Sequence, residues 1–281
     1  MDFGGTALRI LVSNDDGIHA AGLWALAKEL SGLGIVTVVA PDRDQSGVGT
    51  SVTLRHPLRL LEVNSLVEGV RAYLVEGTPA DSVILALKVA LKGMPDLLVS
   101  GINEGPNLGD DVFISGTVGA ALQGYFYGIP SIAVSVAAFR DVKSGVAARL
   151  ARLLAEEVRE KKTPARLLLN INVPNLPQEN IEGIEVTSLG RREYSDNAEP
   201  GHDGKRNYYW VSRGVSEWHV IPGTDTWALK QNRISITTLP NDAGGSAHSF
   251  IKGLVPDLYR KLLGGSMEES IKGLESICKT Q

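Results

Sequence analysis

The sequence predicts an α/β fold in which a doubly wound, mostly parallel sheet forms the core and a β-rich arm follows it. Three observations predict this fold: apolar runs alternate with segments of helical periodicity, the runs end in polar glycine-rich loops, and the composition changes after Pro174. Strands that alternate with helices indicate parallel β–α–β units. We expect the core in residues 1–174, the arm in 175–232, and a strand and helix in 233–281 that complete the core or an oligomer contact.

The first β–α–β unit is the clearest one. An apolar run at 7–13 ends at Asn-Asp-Asp-Gly, and a β-branched run at 35–40 is stopped by Pro41. Between the two runs, apolar residues recur at helical spacing from 23 to 30. This order predicts neighbouring parallel strands that are joined by a right-handed crossover.

Later segments continue the pattern with one interruption. Two short apolar runs at 58–63 and 72–76 predict short strands or an excursion from the sheet. Thr78, Pro79 and Asp81 form a capping box, which predicts a helix start. The remaining expected elements are strands at 96–100, 131–136, 167–173 and 234–237, a helix that begins at Ser115, and helices at 146–158 and 249–263.

The region after Pro174 mixes polar loops with two aromatic patches. These patches are NYYWV at 207–211 and EWHV at 217–220. Exposed aromatic side chains are common at protein–protein contacts. The segment is therefore either an arm that contacts another subunit or a loop-rich cap that packs on its own domain.

Bulk properties exclude several classes of protein. The 281 residues carry a net charge of −4 without a long basic run, so we expect no tight binding to long nucleic acid. Cys278 is the only cysteine, which excludes an intrachain disulfide and fits a reducing compartment. The sequence shows neither a signal-peptide pattern nor the roughly 18 uninterrupted apolar residues that span a bilayer. We expect a cytoplasmic protein with no membrane partner.

Polar residues follow several of the expected strands. Asp15 and Asp16 come directly after the first strand, Ser46 lies in the loop after the second, and Asn103 follows a later one. Ligands of open parallel sheets bind at this edge. Adjacent carboxylates repel each other unless a cation or proton lies between them, and oxygen donors suit Mg²⁺, Mn²⁺ or Ca²⁺. The alternative is that the pair caps the next helix or forms a turn.

A second group of residues predicts a site for phosphate. The segment Ser115-Gly116-Thr117 opens a helix, where free backbone N–H groups favour an anion. Asn107 can reach the same place, and Asn14 adjoins the acidic pair. The sequence has no Walker A loop, no Gly-x-Gly-x-x-Gly after the first strand and no Gly-x-Ser-x-Gly elbow. Two further residues, Asp225 and Trp227, either line the site or pack in the core.

Five segments in order resemble the stationary-phase survival protein SurE family. They are ILVSNDDGIHAAGL, VVAPDRDQSGVGTSVT, VEGTPADSV, PDLLVSGINEGPNLGDDVFISGTVGAA and GIPSIAVS. The resemblance is close from about residue 8 to 136 and looser to about 260. It implies a Rossmann-like core with a C-terminal dimerising arm, and a metal-dependent nucleotidase that acts on nucleoside 5′- and 3′-monophosphates.

The resemblance also implies roles for individual residues. Asp15 and Asp16 match the metal ligands and catalytic carboxylates of the family, and Ser46 and Asn103 match the other two ligands of one divalent ion per subunit. The residues that match the phosphate-binding neighbourhood are Asn14, Asn107, Ser115, Gly116 and Thr117.

Two departures and several alternatives remain. Residues 231–239 read QNRISITTL where the family usually has a Gly-Tyr strand ending in Thr-Pro-Leu, and the match of Asp242 to a family acidic position is loose. The chain is expected to form a homodimer, with a homotetramer as the alternative. An exopolyphosphatase acting on short polyphosphate and a nucleotide sensor without turnover are the alternative functions.

Overall fold

A computed structural model describes residues 7–160, 163–164, 166–192, 196–213, 218–240 and 245–264. The strands up to the arm are β1 (Leu8–Ser13), β2 (Gly34–Pro41), β3 (Leu60–Val63), β4 (Arg71–Val75), β5 (Leu97–Glu104), β6 (Ser131–Val136), β7 (Leu168–Val173) and β8 (Gly183–Thr187). Those that follow are β9 (Arg191–Arg192), β10 (Asp196–His202), β11 (Asn207–Arg213), β12 (Trp218–His219) and β13 (Arg233–Thr238). Asp242 and Cys278 lie outside the described residues.

Nine of these strands form one sheet in the order β3-β4-β2-β1-β5-β6-β7-β13-β8. Adjacent strands from β4 through β7 are parallel, whereas β3 and β13 run antiparallel to β4 and β7. Of the two alternatives for 58–76, short strands or an excursion from the sheet, the structure shows two short strands, β3 and β4, that belong to the sheet. The chain leaves β1 towards β2 on one side and returns at β5 on the other. The carboxyl ends of β1 and β5 therefore form the topological switch point, where ligands bind in such sheets.

Helices cover both faces of the sheet. They are α1 (Ala21–Ser31), α2 (Pro79–Leu85, continued by a π-helical turn Ala86–Ala90), α3 (Gly116–Phe126), α4 (Gly145–Arg159), α5 (Asp225–Lys230) and α6 (Ser246–Leu262). α1, α4 and α6 share one apolar core with the sheet, and α2 and α3 share the other. Along β1, Ile10 and Val12 point into the first core and Leu11 into the second, as alternation along a strand requires. The doubly wound prediction is confirmed.

The capping box at the start of α2 is also confirmed. Thr78 Oγ1 accepts a hydrogen bond from Asp81 N at 3.1 Å, and Asp81 Oδ2 accepts one from Thr78 N at 3.0 Å. The second oxygen of Asp81 accepts from Thr53 N at 2.9 Å. This helix start therefore also holds the loop that follows β2.

The region expected as an arm divides into two parts. β8, within 175–232, joins the main sheet because its Gly183–Thr187 segment buries Ile184 and pairs in parallel with β13. β10 and β11 form a separate antiparallel ribbon, which we call the aromatic ribbon. Its residues Tyr208, Tyr209, Trp210 and Val211 are exposed. Among the described helices, none is long and apolar enough to cross a membrane.

Candidate metal and phosphate site

Asp15 lies buried at the carboxyl end of β1, against the first turn of α3. Its Oδ1 accepts a hydrogen bond from Thr117 Oγ1 at 2.5 Å. A Cβ at position 116 would come within 2.7 Å of Asp15 Cβ and 2.9 Å of Asp15 Oδ2, so only glycine fits there. The positive end of the α3 dipole and the Thr117 hydroxyl therefore stabilise a carboxylate at this point.

Asp16 lies beside Asp15 and is partly buried. Its Oδ2 accepts a hydrogen bond from Glu104 N, at the end of β5, over 3.4 Å. Burial, followed by the neighbouring Asp15 carboxylate, raises the pKa of Asp16 to about 7. Burial also raises the pKa of Asp15, although the Thr117 hydrogen bond opposes this shift. The protein thus disfavours two negative charges here, and a divalent cation between them would relieve that cost.

The loop after β2 brings Ser46 to the same edge of the sheet. Gln45 N donates to Asp15 O at 2.8 Å, which attaches this loop directly to the acidic pair. Ser46 is exposed, and its Oγ donates to Asp44 Oδ1 at 2.6 Å. The charge of Asp44 in turn raises the pKa of both Asp15 and Asp16, so Asp44 faces the pair.

Asn103 approaches the pair from β5. Its side chain is buried, and its Nδ2 donates to Gly105 O at 2.7 Å. This contact fixes the orientation of the amide and leaves its oxygen available as a donor to a cation. Within the described part of the chain, no cluster of three or more His, Cys, Asp or Glu residues could hold a metal. The donors that fit a hard cation here are therefore two carboxylates completed by neutral oxygens.

Asn14 is fully buried in the turn between β1 and α1. Its Nδ2 donates to Gly17 O at 2.9 Å, whereas its Oδ1 is buried and makes no hydrogen bond within the described structure. Gly17 adopts φ +93°, and a Cβ there would meet the carbonyl carbon of Arg43 at 2.9 Å. Asn14 therefore holds the turn that presents the acidic pair.

Asn107 is held rigidly by two asparagines of β7. Its backbone N donates to Asn172 Oδ1 at 2.8 Å, and its backbone O accepts from Asn170 Nδ2 at 2.8 Å and from Asn172 Nδ2 at 2.9 Å. Its own Nδ2 donates to Ser135 Oγ at 2.9 Å. The loop after β5 is thus anchored to two strands beside it.

The first turn of α3 is partly committed to contacts within the protein. Ser115 caps the helix, because its Oγ accepts from Val118 N at 3.1 Å. Both the hydroxyl and the backbone of Thr117 stabilise the Asp15 carboxylate. These side-chain contacts thus shape the helix start and the site around Asp15, and the binding of an anion by free backbone N–H groups of this turn stays a prediction.

Comparisons with known proteins identify the family of this chain. The family model described as "Survival protein SurE" matches residues 10–196. The chain belongs to the SurE family. A protein named 5′-nucleotidase SurE from Dehalococcoides mccartyi (strain CBDB1) is 47% identical over 83% of this chain and 88% of its own length. One of the same name from Vibrio parahaemolyticus is 44% identical over 88% and 93%.

A solved structure gives the same result. The crystal structure of the SurE protein from Aquifex aeolicus has a TM-score of 0.70 and 38% identity, and the match covers 88% of this chain and 98% of that one. The predicted family and α/β fold are therefore confirmed.

Some residues around the candidate site were missed in the sequence. Asp44 lies in the same polar loop as Ser46, and its acidic side chain was a visible signal. Asn170 and Asn172 were also visible, as two amides that alternate within the apolar run 167–173. Their partner, Asn107, is more than 60 residues away in the chain, so only the fold shows what they hold.

Asp225, at the start of α5, packs in the core and hydrogen-bonds to the loop after β5. Its Oδ2 accepts from Gly109 N at 2.8 Å, and its Oδ1 accepts from Gly190 N at 2.8 Å and from Thr226 N at 2.7 Å. Burial raises the pKa of Asp225, and these three backbone hydrogen bonds oppose the shift. Asp225 thus joins the loop after β5 to the C-terminal region of this SurE chain.

Proposed function

We propose that this chain is a divalent-metal-dependent phosphomonoesterase that hydrolyses nucleoside 5′-monophosphates, and also 3′-monophosphates, to a nucleoside and phosphate. The observation that carries the proposal is the pair of adjacent carboxylates, Asp15 and Asp16, enclosed at the switch point against the first turn of α3. Relatives at 44–47% identity bear the name 5′-nucleotidase, which supports the same activity here.

The residues that would hold one Mg²⁺ or Mn²⁺ ion are Asp15, Asp16, Ser46 and Asn103, and Ca²⁺ fits the same donors. When bound, the ion supplies Lewis-acid activation of a phosphate oxygen and a water of lowered pKa. Ser46 and Asn103 add no negative charge. Because Asp44 and Glu104 already act on Asp16, neutral donors keep the site acceptable to an anion.

The chain's own groups orient the phosphate and receive the proton. The backbone at the start of α3 and Asn107 would stabilise charge on the phosphate oxygens. Asp15 Oδ1 already accepts from Thr117, so Asp16 has the freer carboxylate and is the better group to take the proton of the attacking water. Asn14 holds the turn in place.

The proposal extends to assembly and location. The aromatic ribbon exposes Tyr209 and Trp210, at 64% and 69%, a pattern that supports a homodimer contact. A core at 1–174 with a C-terminal extension is consistent with this arrangement. A single cysteine supports a cytoplasmic location.

One panel of phosphate-release assays tests the function. We expect release from AMP, GMP and 3′-AMP with Mn²⁺ or Mg²⁺, none with a chelator, and lower kcat/KM on short polyphosphate. Higher kcat/KM on polyphosphate would make the chain an exopolyphosphatase. Binding of AMP without phosphate release would make it a sensor.

Asp15→Asn sharpens this test because it removes the charge but keeps an oxygen for Thr117. We expect activity to fall on the order of 10³-fold, the scale of losing a principal electrostatic contact in a hydrolase. The metal-free variant should be at least as stable as wild type, because a buried charge has been removed. Asp257→Asn, on the exposed side of α6, is the control and should keep full activity. Wild-type turnover in Asp15→Asn would refute the assignment.

A further inference from the structure

An exposed phenylalanine stands beside the proposed site without a role in the chemistry above. Phe139 follows β6 and is 74% exposed, although a large aromatic side chain is normally buried. β6 runs parallel to β5, so the loop that carries Phe139 leaves the sheet at the same edge as Asn103. Exposed aromatic surface at the mouth of a binding site commonly contacts a ligand.

The ring of Phe139 packs directly on the loop that carries the proposed metal ligand. A Cβ at Gly105 would come within 2.3 Å of Phe139 Cε1, so the ring lies against the bare backbone of Gly105. Gly105 O accepts from Asn103 Nδ2 at 2.7 Å, and Gly105 N donates to Val136 O at 3.0 Å. One glycine therefore separates the aromatic ring from the Asn103 side chain.

The loop that carries Phe139 is attached at both ends. Ala137 N donates to Val173 O at 2.9 Å, just after β6. Further along, Lys143 N donates to Asn175 Oδ1 at 2.8 Å, and Asn175 Nδ2 donates to Asp141 O at 3.1 Å. Because these contacts fix the loop, the exposed ring is a preformed surface that loses little conformational freedom on binding.

We propose that Phe139 is the base-binding residue: its ring stacks on the nucleobase of a nucleoside monophosphate whose phosphate lies at Asp15, Asp16 and the start of α3. The inference rests on the proposed function and names how that site recognises its substrate. Stacking on an aromatic ring accepts every base, because each base presents a π-face. Purines should gain more than pyrimidines, since they offer the larger apolar surface.

The test compares AMP with D-ribose 5-phosphate, which is the same substrate without its base. For Phe139→Ala we expect KM for AMP to rise on the order of tenfold, the scale of losing one base–aromatic stacking contact. KM and kcat for ribose 5-phosphate should stay at wild-type values. UMP should show a smaller rise than AMP, and Phe139→Trp should restore a low KM for AMP.

Two control variants remove other exposed phenylalanines. Phe126, 61% exposed at the far end of α3, should tolerate alanine without any kinetic change. Phe113, 71% exposed, lies two residues before Ser115, which caps α3. A base-dependent rise in KM for Phe113→Ala but not for Phe139→Ala would overturn the proposal.

Other results would also overturn it. Equal losses on AMP and ribose 5-phosphate in Phe139→Ala would mean that the ring only supports the Gly105 loop. A base-dependent loss in His56→Ala instead would place the base in the cavity of about 520 Å³ that His56 lines with Arg43 and Gln45. If the wild-type protein releases phosphate from neither substrate, the proposed function itself has failed, which is a separate outcome.

Discussion

The acidic edge of the sheet and the aromatic ribbon are held in opposite ways. Asp15 and Asn107 are buried and hydrogen-bond with distant segments, and the buried side chain of Asn103 donates to Gly105 O. In the aromatic ribbon, β10 and β11 pair with each other over seven residue pairs, and the aromatic side chains remain exposed. The first region is held by hydrogen bonds to other parts of the chain, whereas the second leaves its aromatic side chains exposed.

This difference shows where each region draws its stability. Buried polar groups at the edge of the sheet need partners, and removing one leaves another unsatisfied. Because the aromatic residues of the ribbon are exposed, replacing them should cost the subunit little stability. Substitutions that remove a buried hydrogen-bond partner at the edge should therefore lower stability, and substitutions in the ribbon should change the proposed assembly alone.

The largest expected effect on stability tests whether the acidic edge depends on distant support. Asp225→Ala removes the acceptor of three buried backbone N–H groups, and we expect the free energy of unfolding to fall by about 3 kcal/mol. Urea denaturation measures this change. Asp110→Ala, an exposed neighbour of Gly109, is the control and should be nearly neutral. A loss as small as that of the control would show that the acidic edge does not depend on Asp225 for its stability.

An intermediate effect comes from pH in the metal-free protein. The pKa of Asp16 is raised from 3.8 to about 7, so the folded state keeps a proton that the unfolded state has already lost. Stability should therefore fall as pH rises, beginning near 3.8 and ending above about 7. Thermal unfolding in a chelator across this window measures the slope.

Two comparisons check the cause of that slope. Asp16→Asn should make it less steep, because the contribution of Asp16 is gone while those of Asp15 and Asp225 remain. Added Mn²⁺ should raise the melting temperature more at pH 8 than at pH 5, because a cation competes with the proton for these oxygens. Equal slopes for wild type and Asp16→Asn would contradict the raised pKa.

The smallest expected effect on stability tests the ribbon. Tyr209→Ser and Trp210→Ser should change subunit stability by no more than about 0.5 kcal/mol, since both side chains are exposed. Denaturation at protein concentrations where wild type is monomeric measures the stability of the subunit without a contribution from assembly. Sedimentation at higher concentration should show the proposed dimer for wild type and its loss in both variants. A stability loss comparable to that of Asp225→Ala would mean that the ribbon packs on its own subunit.

The sequence predicts the core fold well and places the acidic pair at the end of the first strand, for physical reasons. Buried parallel strands are continuous apolar runs, and Asp15 and Asp16 stand where such a run stops. Polar residues in that position indicate either a ligand site or a helix cap or turn. The capping box at Thr78 is equally local, because both of its hydrogen bonds span three residues.

Contacts between distant segments could not be predicted in the same way. In the sequence, Asp225 looks like an ordinary aspartate at a helix start. Only the fold shows that it accepts a hydrogen bond from Gly109 N, 116 positions earlier. Asn170 and Asn172 are visible as polar residues in an apolar strand, but their partner is not. The sequence places β8 in the arm because a short, partly buried strand gives a weak pattern. Its position in the main sheet depends on pairing with β13.

The position of β13 has a consequence for synthesis of the chain. It is inserted between β7 and β8, although it follows β8 by more than 40 residues in the sequence. Until Arg233–Thr238 leaves the ribosome, the edge of β7 has no neighbour and β8 has no strand to join. Nascent chains that stop short of this segment therefore display an unpaired sheet edge, which is a template for aggregation.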